Sequence, residues 1–465
     1  MCGVFGILDE NTANLGHMLY YGLYALQHRG QESCGMAVFD HDDLFIHKEM
    51  GLVNQVFTET LLEKLKGQVG IGHTRYSTTG SSSLENAQPV VARSPLGAMT
   101  IAHNGNLTNT TELLAYLRER AIHLPAKLSD SHVMAEMIRY ELHQAMGRHE
   151  VNLLSAVSSA LAQCQGAFSV VVATGDTLIA VRDPHGLRPL SLGRLDSGAW
   201  VVASETCALD IVGATFVRDI EPGEIWMATR DGAVESRTLP AAPKNHLCIF
   251  ELIYFARPDS QIRNHSVYNY RLALGERLAQ LSPPVQADIV IPVPDSGNVA
   301  AVGYSRVSGI PYVEGLIKNR YVGRTFINPT QELREQGIKL KLNPMSDVIA
   351  GKSVVVVDDS IVRGNTSRQL VRMLRDAGAK EIHLRISSAP VKNPCYYGID
   401  MSTRQELIAN KMSVEELRTW LNVNTLVYLP EDDMRAIAEN HSACMACFNG
   451  HYPAGMPTSL AAEAL

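Results

Sequence analysis

The chain has no surplus of positive charge: 41 lysines and arginines face 48 acids, a net charge of -7. This argues against a nucleic-acid partner, because neutralising a phosphate backbone needs a basic excess. A local basic site for a small phosphorylated ligand is still compatible with it. No apolar run approaches the roughly 20 residues that cross a bilayer, so no membrane partner is expected. Met1-Cys2-Gly3-Val4-Phe5 lacks a basic stretch, and Asp9 and Glu10 interrupt the apolar start, which excludes a secretory signal. The eight cysteines, in a large chain without such a signal, read as thiols or ligands and not as a disulfide framework. A cytoplasmic protein is expected. Internal repeats and low-complexity tracts are also missing. What is present is 46% apolar and 19% charged residues, the balance of a soluble globular protein. Its 465 residues exceed one ordinary core and call for two domains of about 150 to 250 residues.

The first half is rich in short apolar runs bounded by Gly and Asp turns: Val4 to Leu8, Gly35 to Phe39, Gln68 to Gly72, Ala98 to His103, Phe168 to Thr174 and Thr177 to Arg182. Helical spacing marks Leu15 to Leu26, Thr111 to Arg118, Ser131 to Leu142 and Leu153 to Leu161. This grouping predicts layered sheets with helices outside. Ala241-Ala242-Pro243-Lys244 reads as a linker, dividing the chain into domains 2–240 and 241–465. Beyond it strand and helix alternate. Strands are predicted at Ala287 to Val293, Ser353 to Val357 and Glu381 to Ile386, and helices at Val299 to Ser308, Thr366 to Ala377 and Glu415 to Leu421. That is the pattern of a parallel α/β sheet, whose ligands sit at the carboxyl ends of the strands. The tail after Pro457 is expected to fray.

A cysteine at position 2 is weak evidence alone, since a buried cysteine is a common small hydrophobe. Its neighbours strengthen it. Small Gly3 does not hinder removal of Met1, which would set a thiol of reference pKa near 8.5 beside an amine near 8. One residue then supplies nucleophile and general base. Arg75, in His73-Thr74-Arg75-Tyr76, offers a guanidinium for a carboxylate. Asn104-Gly105-Asn106 can form an oxyanion hole from an amide and a glycine N–H. Asp130 is read either as the cap of the following helix or as a partner for a substrate ammonium. Cys2-Gly3-Val4-Phe5-Gly6-Ile7, Gln27-His28-Arg29-Gly30-Gln31-Glu32-Ser33, Gly72-His73-Thr74-Arg75 and His103-Asn104-Gly105-Asn106-Leu107 together resemble the class II glutamine amidotransferase domain. The resemblance implies an N-terminal-nucleophile fold of four αββα layers, with Cys2 as nucleophile and Asn104 and Gly105 as oxyanion hole. It implies Arg75 and Asp130 as binders of glutamine's carboxylate and ammonium, with Arg29 in the same pocket. Cysteines 34, 164 and 207 match no catalytic position and are read as core.

The second half carries Val354-Val355-Val356-Val357-Asp358-Asp359-Ser360-Ile361-Val362-Arg363-Gly364-Asn365-Thr366-Ser367. Four valines make a buried strand that delivers two carboxylates, which can only accept hydrogen bonds and so suit two ribose hydroxyls. Gly364 permits close backbone approach to a phosphate, and Thr366 and Ser367 add hydroxyls at a helix N-terminus. Two aspartates after a strand can also be a metal site or turn chemistry. With its loop, however, the block resembles the type I phosphoribosyltransferase signature. Pro294-Asp295-Ser296-Gly297 is a fitting place for pyrophosphate. Lys318-Asn319-Arg320-Tyr321-Val322-Gly323-Arg324, with Gln331, Arg334, Lys339 and Lys341 beyond, is either a solvated basic loop or a lid over a polyanion.

From Cys2 to about Tyr452 the chain resembles the glutamine phosphoribosylpyrophosphate amidotransferase family. The resemblance implies transfer of ammonia from glutamine to phosphoribosyl pyrophosphate, giving 5-phosphoribosylamine, glutamate and pyrophosphate, as the first committed step of purine synthesis. It implies one Mg²⁺ per subunit at Ser296, Asp358 and Asp359, entering with the diphosphate. It also implies purine nucleotides as feedback inhibitors, a homotetramer, and a passage for ammonia between the two sites. Asn365 stands where Thr is usual and Ala389 where Pro is usual, which predicts tuning only. Cys248, Cys395, Cys444 and Cys447 are four thiols that can bind zinc or an iron–sulfur cluster, and spacing alone does not choose. The resemblance is to the branch with one structural [4Fe–4S] cluster per subunit. Because Cys2 directly follows Met1, cluster insertion is not expected to depend on cleavage of a propeptide. Other class II amidotransferases are disfavoured, since neither a sugar isomerase half nor an ATP-pyrophosphatase motif is present. A regulatory phosphoribosyl-binding protein is disfavoured by the intact Cys2, Arg75, Asn104 and Gly105.

Overall fold

In the strand Gly166–Ala173, Phe168, Val170 and Val172 enter one core while Val171 and Ala173 enter another. The strand Gly3–Leu8 behaves likewise, with Phe5 and Ile7 on one side and Val4 and Leu8 on the other. Successive side chains of a strand point to opposite faces, so both strands need cover on each side. The chain supplies it with two stacked antiparallel sheets. One has seven strands, in the order 215–219, 191–194, 200–203, 3–8, 69–75, 33–40 and 43–50. The other has six, in the order 234–238, 224–229, 177–182, 166–173, 97–107 and 90–94. Helices Leu15–Ala25 and Thr206–Ile211 cover the outer face of the first sheet. Helices Thr110–Glu119, Asp130–Gly147 and Leu153–Leu161 cover that of the second. The result is the αββα sandwich. The computed structural model describes residues 1–10, 14–76, 82–125, 127–147, 152–239, 245–283, 285–319, 342–401, 403–438 and 442–457.

The second half builds a parallel sheet in the order 289–292, 353–358, 381–386 and 425–428. Val354 and Val356 face one core, and Val355 and Val357 the other. Helices Val267–Leu281 and Asn298–Ser308 pack on one face, and Asn365–Asp376 and Val414–Leu421 on the other. Burial on both faces explains the unbroken run of valines. All four strands end at one edge, where Pro292, Asp358, Ile386 and Tyr428 stand.

Two boundaries differ from the sequence reading in a way that matters. The strand expected to stop at His103 runs on through Asn104, Gly105 and Asn106 to Leu107, paired with the strand beside it. The strand expected to stop at Gly72 includes His73, Thr74 and Arg75. Backbone ladder bonds do not depend on side-chain polarity, so polar residues continue a strand wherever their side chains find partners. The strands Asp43–Met50 and Val234–Thr238 escape a hydropathy reading because they are sheet edges, the first half-buried and the second exposed. The 241–244 linker and the tail beyond 457 lie outside the described residues. Among the described residues no helix is long and apolar enough to cross a membrane.

Candidate active sites

Cys2 opens the central strand of the first sheet and is 9% exposed. Three contacts hold it. Its N–H donates to Asn104 Oδ1 (3.1 Å), its thiol to the Tyr76 carbonyl (3.6 Å), and its own carbonyl accepts from Arg29 Nε (2.9 Å). The other end of the Asn104 amide, Nδ2, is buried with no hydrogen-bond partner among the described residues. An idle buried donor costs about 1–3 kcal/mol, so one beside a candidate nucleophile points to a transient acceptor. Next to it Gly105 adopts φ 138°, and a Cβ there would stand 2.0 Å from the Ala167 carbonyl oxygen, so the position requires glycine.

Arg75 is buried and donates to Glu32 Oε1 (2.8 Å). Asp130 does not serve its own helix: Oδ2 accepts the Leu107 N–H (2.9 Å) and Oδ1 the Thr110 hydroxyl (3.1 Å), which corrects the cap reading. Burial outweighs these two donors and pushes the Asp130 carboxyl up. His73 and His103 are buried, and desolvation pushes both imidazoles down to about 3. They are neutral at physiological pH.

Arg29, placed in the glutamine pocket by resemblance, is used otherwise here. Each of its nitrogens is engaged, Nε by the Cys2 carbonyl, Nη1 by Glu205 and Nη2 by Glu251 (2.9 and 3.1 Å). Glu251 also accepts from Arg188 Nη1 (3.2 Å), and Arg188 donates to the Tyr397 carbonyl and to Met1 Sδ. Arg29, Arg188, Glu205 and Glu251 are all fully buried, two of each sign. Burial alone would raise the Glu205 carboxyl, but His28 and Arg29 hold it well below the usual carboxylate range. Sequence reasoning missed Glu205, Glu251 and Arg188 as a group, because no motif marks an acid that becomes buried only when distant segments meet.

At the carboxyl edge of the parallel sheet, the Asp359 N–H donates to Asp358 Oδ1 (2.9 Å) and Ser360 Oγ to Asp359 Oδ2. Ser296 hydrogen-bonds both carboxylates. Burial, with the Asp359 charge beside it, pushes Asp358 well up, and burial also raises Asp359. Gly364, at φ 79°, turns the chain into the helix that begins at Asn365; Thr366 at its first turn is exposed and Ser367 buried. Arg363 donates to Glu406 (2.7 Å) and stands 3.9 Å from Asp400. Asp295, Ser296 and Gly297 lie between the strand Ile289–Pro292 and the helix from Asn298, at the same edge. Lys318 pairs with Asp295. Arg324 and the other residues of the basic segment from 320 to 341 lie outside the described residues.

Cys34, Cys164 and Cys207 are buried in the first domain, and burial raises each thiol, Cys34 and Cys164 to about 12. Cys248 and Cys444 meet in a parallel bridge of backbone, and the thiols of Cys248, Cys444 and Cys447 are each raised by burial and then by neighbouring cysteines, Cys395 among them. Arg188 beside Cys248 pulls the other way. Among the described residues, no group of three or more His, Cys, Asp or Glu side chains is arranged to hold a metal ion. The four thiols are neighbours but do not form a closed single-ion site.

Comparison with known proteins defines the class. A glutamine amidotransferase domain model matches residues 73–210, and a phosphoribosyl transferase domain model matches residues 275–397. An amidophosphoribosyltransferase of Synechococcus elongatus is 50% identical over 464 residues, covering 99% of this chain and 92% of the relative. Its counterpart in Mycobacterium tuberculosis is 50% identical over 472 residues, covering 99% and 88%. A solved structure described as glutamine phosphoribosylpyrophosphate amidotransferase from B. subtilis, complexed with ADP and GMP, superposes with a TM-score of 0.88 at 44% identity, covering 98% of this chain and all of that one. Another, described as the allosteric regulatory enzyme of purine biosynthesis, gives 0.89 at 44% identity, covering 98% and 97%. The chain belongs to the amidophosphoribosyltransferase family.

Proposed function

We propose that this enzyme makes 5-phosphoribosylamine, glutamate and pyrophosphate from glutamine, phosphoribosyl pyrophosphate and water, the first committed step of purine synthesis. The observation that carries the reading is the pairing, in one chain, of Cys2 beside an idle Asn104 amide with an Asp358-Asp359 loop at the carboxyl edge of a parallel sheet. Residues 2–240 form the glutaminase domain and 241–465 the phosphoribosyltransferase domain.

Removal of Met1 exposes the amine of Cys2. Met1 is itself buried, and burial pushes its terminal ammonium down to about 5. The Cys2 amine acts as general base in its neutral form. The Cys2 sulfur attacks the glutamine amide carbon, and the amine passes the thiol proton to the leaving ammonia. Asn104 Nδ2 and the Gly105 N–H hold the oxyanion. Arg75 and Asp130 take the α-carboxylate and α-ammonium, and Arg29 acts on Cys2 and not on substrate. Water then releases glutamate. The ammonia attacks ribose C1 and displaces pyrophosphate, inside a water-excluded passage that keeps it unprotonated.

At the second site Asp358 and Asp359 accept the ribose hydroxyls. The segment Ser360, Arg363, Gly364, Asn365, Thr366 and Ser367 cradles the 5′-phosphate, and Asp295, Ser296, Gly297, Lys318 and Arg324 meet the pyrophosphate. Two crowded carboxylates sharing Ser296 fit a cation whose remaining ligands are substrate oxygens and waters, which suits Mg²⁺. Cys248, Cys395, Cys444 and Cys447 are the ligands of a structural [4Fe–4S] cluster. Their mutual proximity suits a cationic core that would neutralise crowded thiolates, and the buried Arg188 would balance the negative charge that remains. A homotetramer in the cytoplasm, inhibited by purine nucleotides, completes the reading.

The test is Cys2→Ala. Pyrophosphate release should be lost with glutamine and retained with free ammonia, and survival of glutamine use would show that Cys2 is not the nucleophile. Iron and sulfide analysis of anaerobically purified protein decides between a cluster and zinc.

A further inference from the structure

Glu205 belongs to no motif and touches neither proposed substrate. It follows the strand Trp200–Ala203 and precedes the helix Thr206–Ile211, without capping that helix. Its side chain is fully buried and divides its two oxygens between different tasks. Oε1 accepts from Arg29 Nη1 and lies 2.8 Å from His28 Nε2. Oε2 accepts the Arg257 N–H (2.9 Å), the Ser260 hydroxyl (2.8 Å) and the Cys207 thiol (3.7 Å). Arg29 in turn holds the Cys2 carbonyl through Nε (2.9 Å).

We propose that Glu205 is a positioning residue for the Cys2 nucleophile, acting through Arg29 and fixed in place by the docked segment from Arg257 to Ser260. This rests on the reading of Cys2 given above. The Asn104 contact to the Cys2 N–H and the Arg29 contact to its carbonyl clamp the residue at both ends, so the direction of Cα–Cβ, and with it the sulfur, follows the Arg29 guanidinium. Glu251 already pairs Arg29 with both oxygens, so the guanidinium has a partner for its charge without Glu205. What Glu205 adds is a second point of attachment that sets the plane. Only a carboxylate can do so here, because both oxygens face donors, Arg29 on one and the Arg257 N–H and Ser260 hydroxyl on the other, and an amide would turn an NH₂ group against one of them. Two of the Oε2 donors, the Arg257 N–H and the Ser260 hydroxyl, come from the part of the chain assigned to the second domain. An undocked 257–260 segment therefore loosens Cys2, and glutamine hydrolysis is tied to an assembled enzyme.

The experiment uses the full chain. Cys2→Ala is assayed first, and continued glutamine use there would sink the Cys2 reading itself, separately from Glu205. Glu205→Gln is then prepared, with Met1 removal checked by intact mass. The expected result is a loss of glutamine-dependent kcat of about a hundredfold, with KM for glutamine within about threefold and the ammonia-dependent rate within about twofold of the parent. Glu205→Asp, which keeps the charge on a shorter arm, should recover part of the loss. Ser260→Ala, which leaves every charge in place, should lower the same kcat by roughly threefold to tenfold, again with the ammonia rate unchanged. Equal falls with glutamine and ammonia would mean a merely structural role and overturn the proposal, as would an unchanged glutamine kcat. If Glu205→Gln does not fold, Ser260→Ala decides alone: a selective loss supports the proposal and none overturns it.

Discussion

Around Cys2, N–H, carbonyl and thiol each have a partner, and the nearby ionisable groups are paired or, like His73 and His103, held neutral. Around Asp358 and Asp359 the situation is reversed. Two adjacent carboxylates are pressed together at a strand end, each with its pKa raised by burial. The first centre is built largely by the protein's own packing, with the Asn104 amide nitrogen left idle among the described residues. The second is crowded electrostatically, with two carboxylates side by side at the strand end. Preorganisation suits a centre that must stabilise a short-lived oxyanion, whereas excess negative charge suits one that receives a cation and ribose hydroxyls.

The comparison breaks most severely at Asn104. Asn104→Ala removes both the Cys2 N–H acceptor and the idle donor, and should cost roughly 10²–10³ in glutamine-dependent kcat, with the ammonia-dependent rate kept. Steady-state assays with the two nitrogen sources measure it, and an equal loss with both would put Asn104 outside the oxyanion hole. The opposite behaviour is expected at Asp358. Asp358→Asn relieves the repulsion, so the substrate-free protein should gain about 1 kcal/mol in stability while losing binding of phosphoribosyl pyrophosphate. Thermal melts with and without Mg²⁺ and substrate show whether gain and loss occur together.

A third test sharpens the contrast by pH. His73 and His103 have depressed folded pKa values of about 3, so they contribute stability present above their unfolded value near 6.5 and lost as pH falls below it. Asp358 and Asp359 have raised folded values, so their contribution is present below about 4 and lost as pH rises through the folded pKa. Each histidine should cost about 1 kcal/mol per pH unit between roughly 6 and 4. Above about pH 4 the two contributions oppose each other, so substituting the aspartates with Asn should steepen the net rise in stability with pH that the histidines produce. Melting curves from pH 4 to 8 test both effects, and a His73→Gln variant with an unaltered acid slope would remove the histidine explanation.

Much of this was legible in advance. Val354 to Asp359 announced a strand with carboxylates at its end, because only a strand covered on both faces tolerates four consecutive valines. Cys2, Arg75 and Asn104 were legible as short blocks of unusual composition. The strand that carries Asn104 and Gly105 was read too short, because its polar residues are matched by partners far away in sequence. Asp130 was read either as a local cap or as a partner for the substrate ammonium, and its partners Leu107 and Thr110, which exclude the cap, lie far away in sequence. Arg29 stood out as a residue, but its task did not.

The sequence by itself therefore determined most elements, the two chemistries and the candidate site residues, since each is written in a contiguous stretch whose pattern reflects local backbone preference or a few adjacent side chains. Only the tertiary structure decided that Arg29 serves Cys2, that Glu205 joins it to the 257–260 segment, and that Arg188 stands between Met1 and the cysteines Cys248 and Cys395. Burial is the reason. A charged side chain acquires its role from the partners that share its desolvation, and those partners are brought together by folding and not by spacing along the chain.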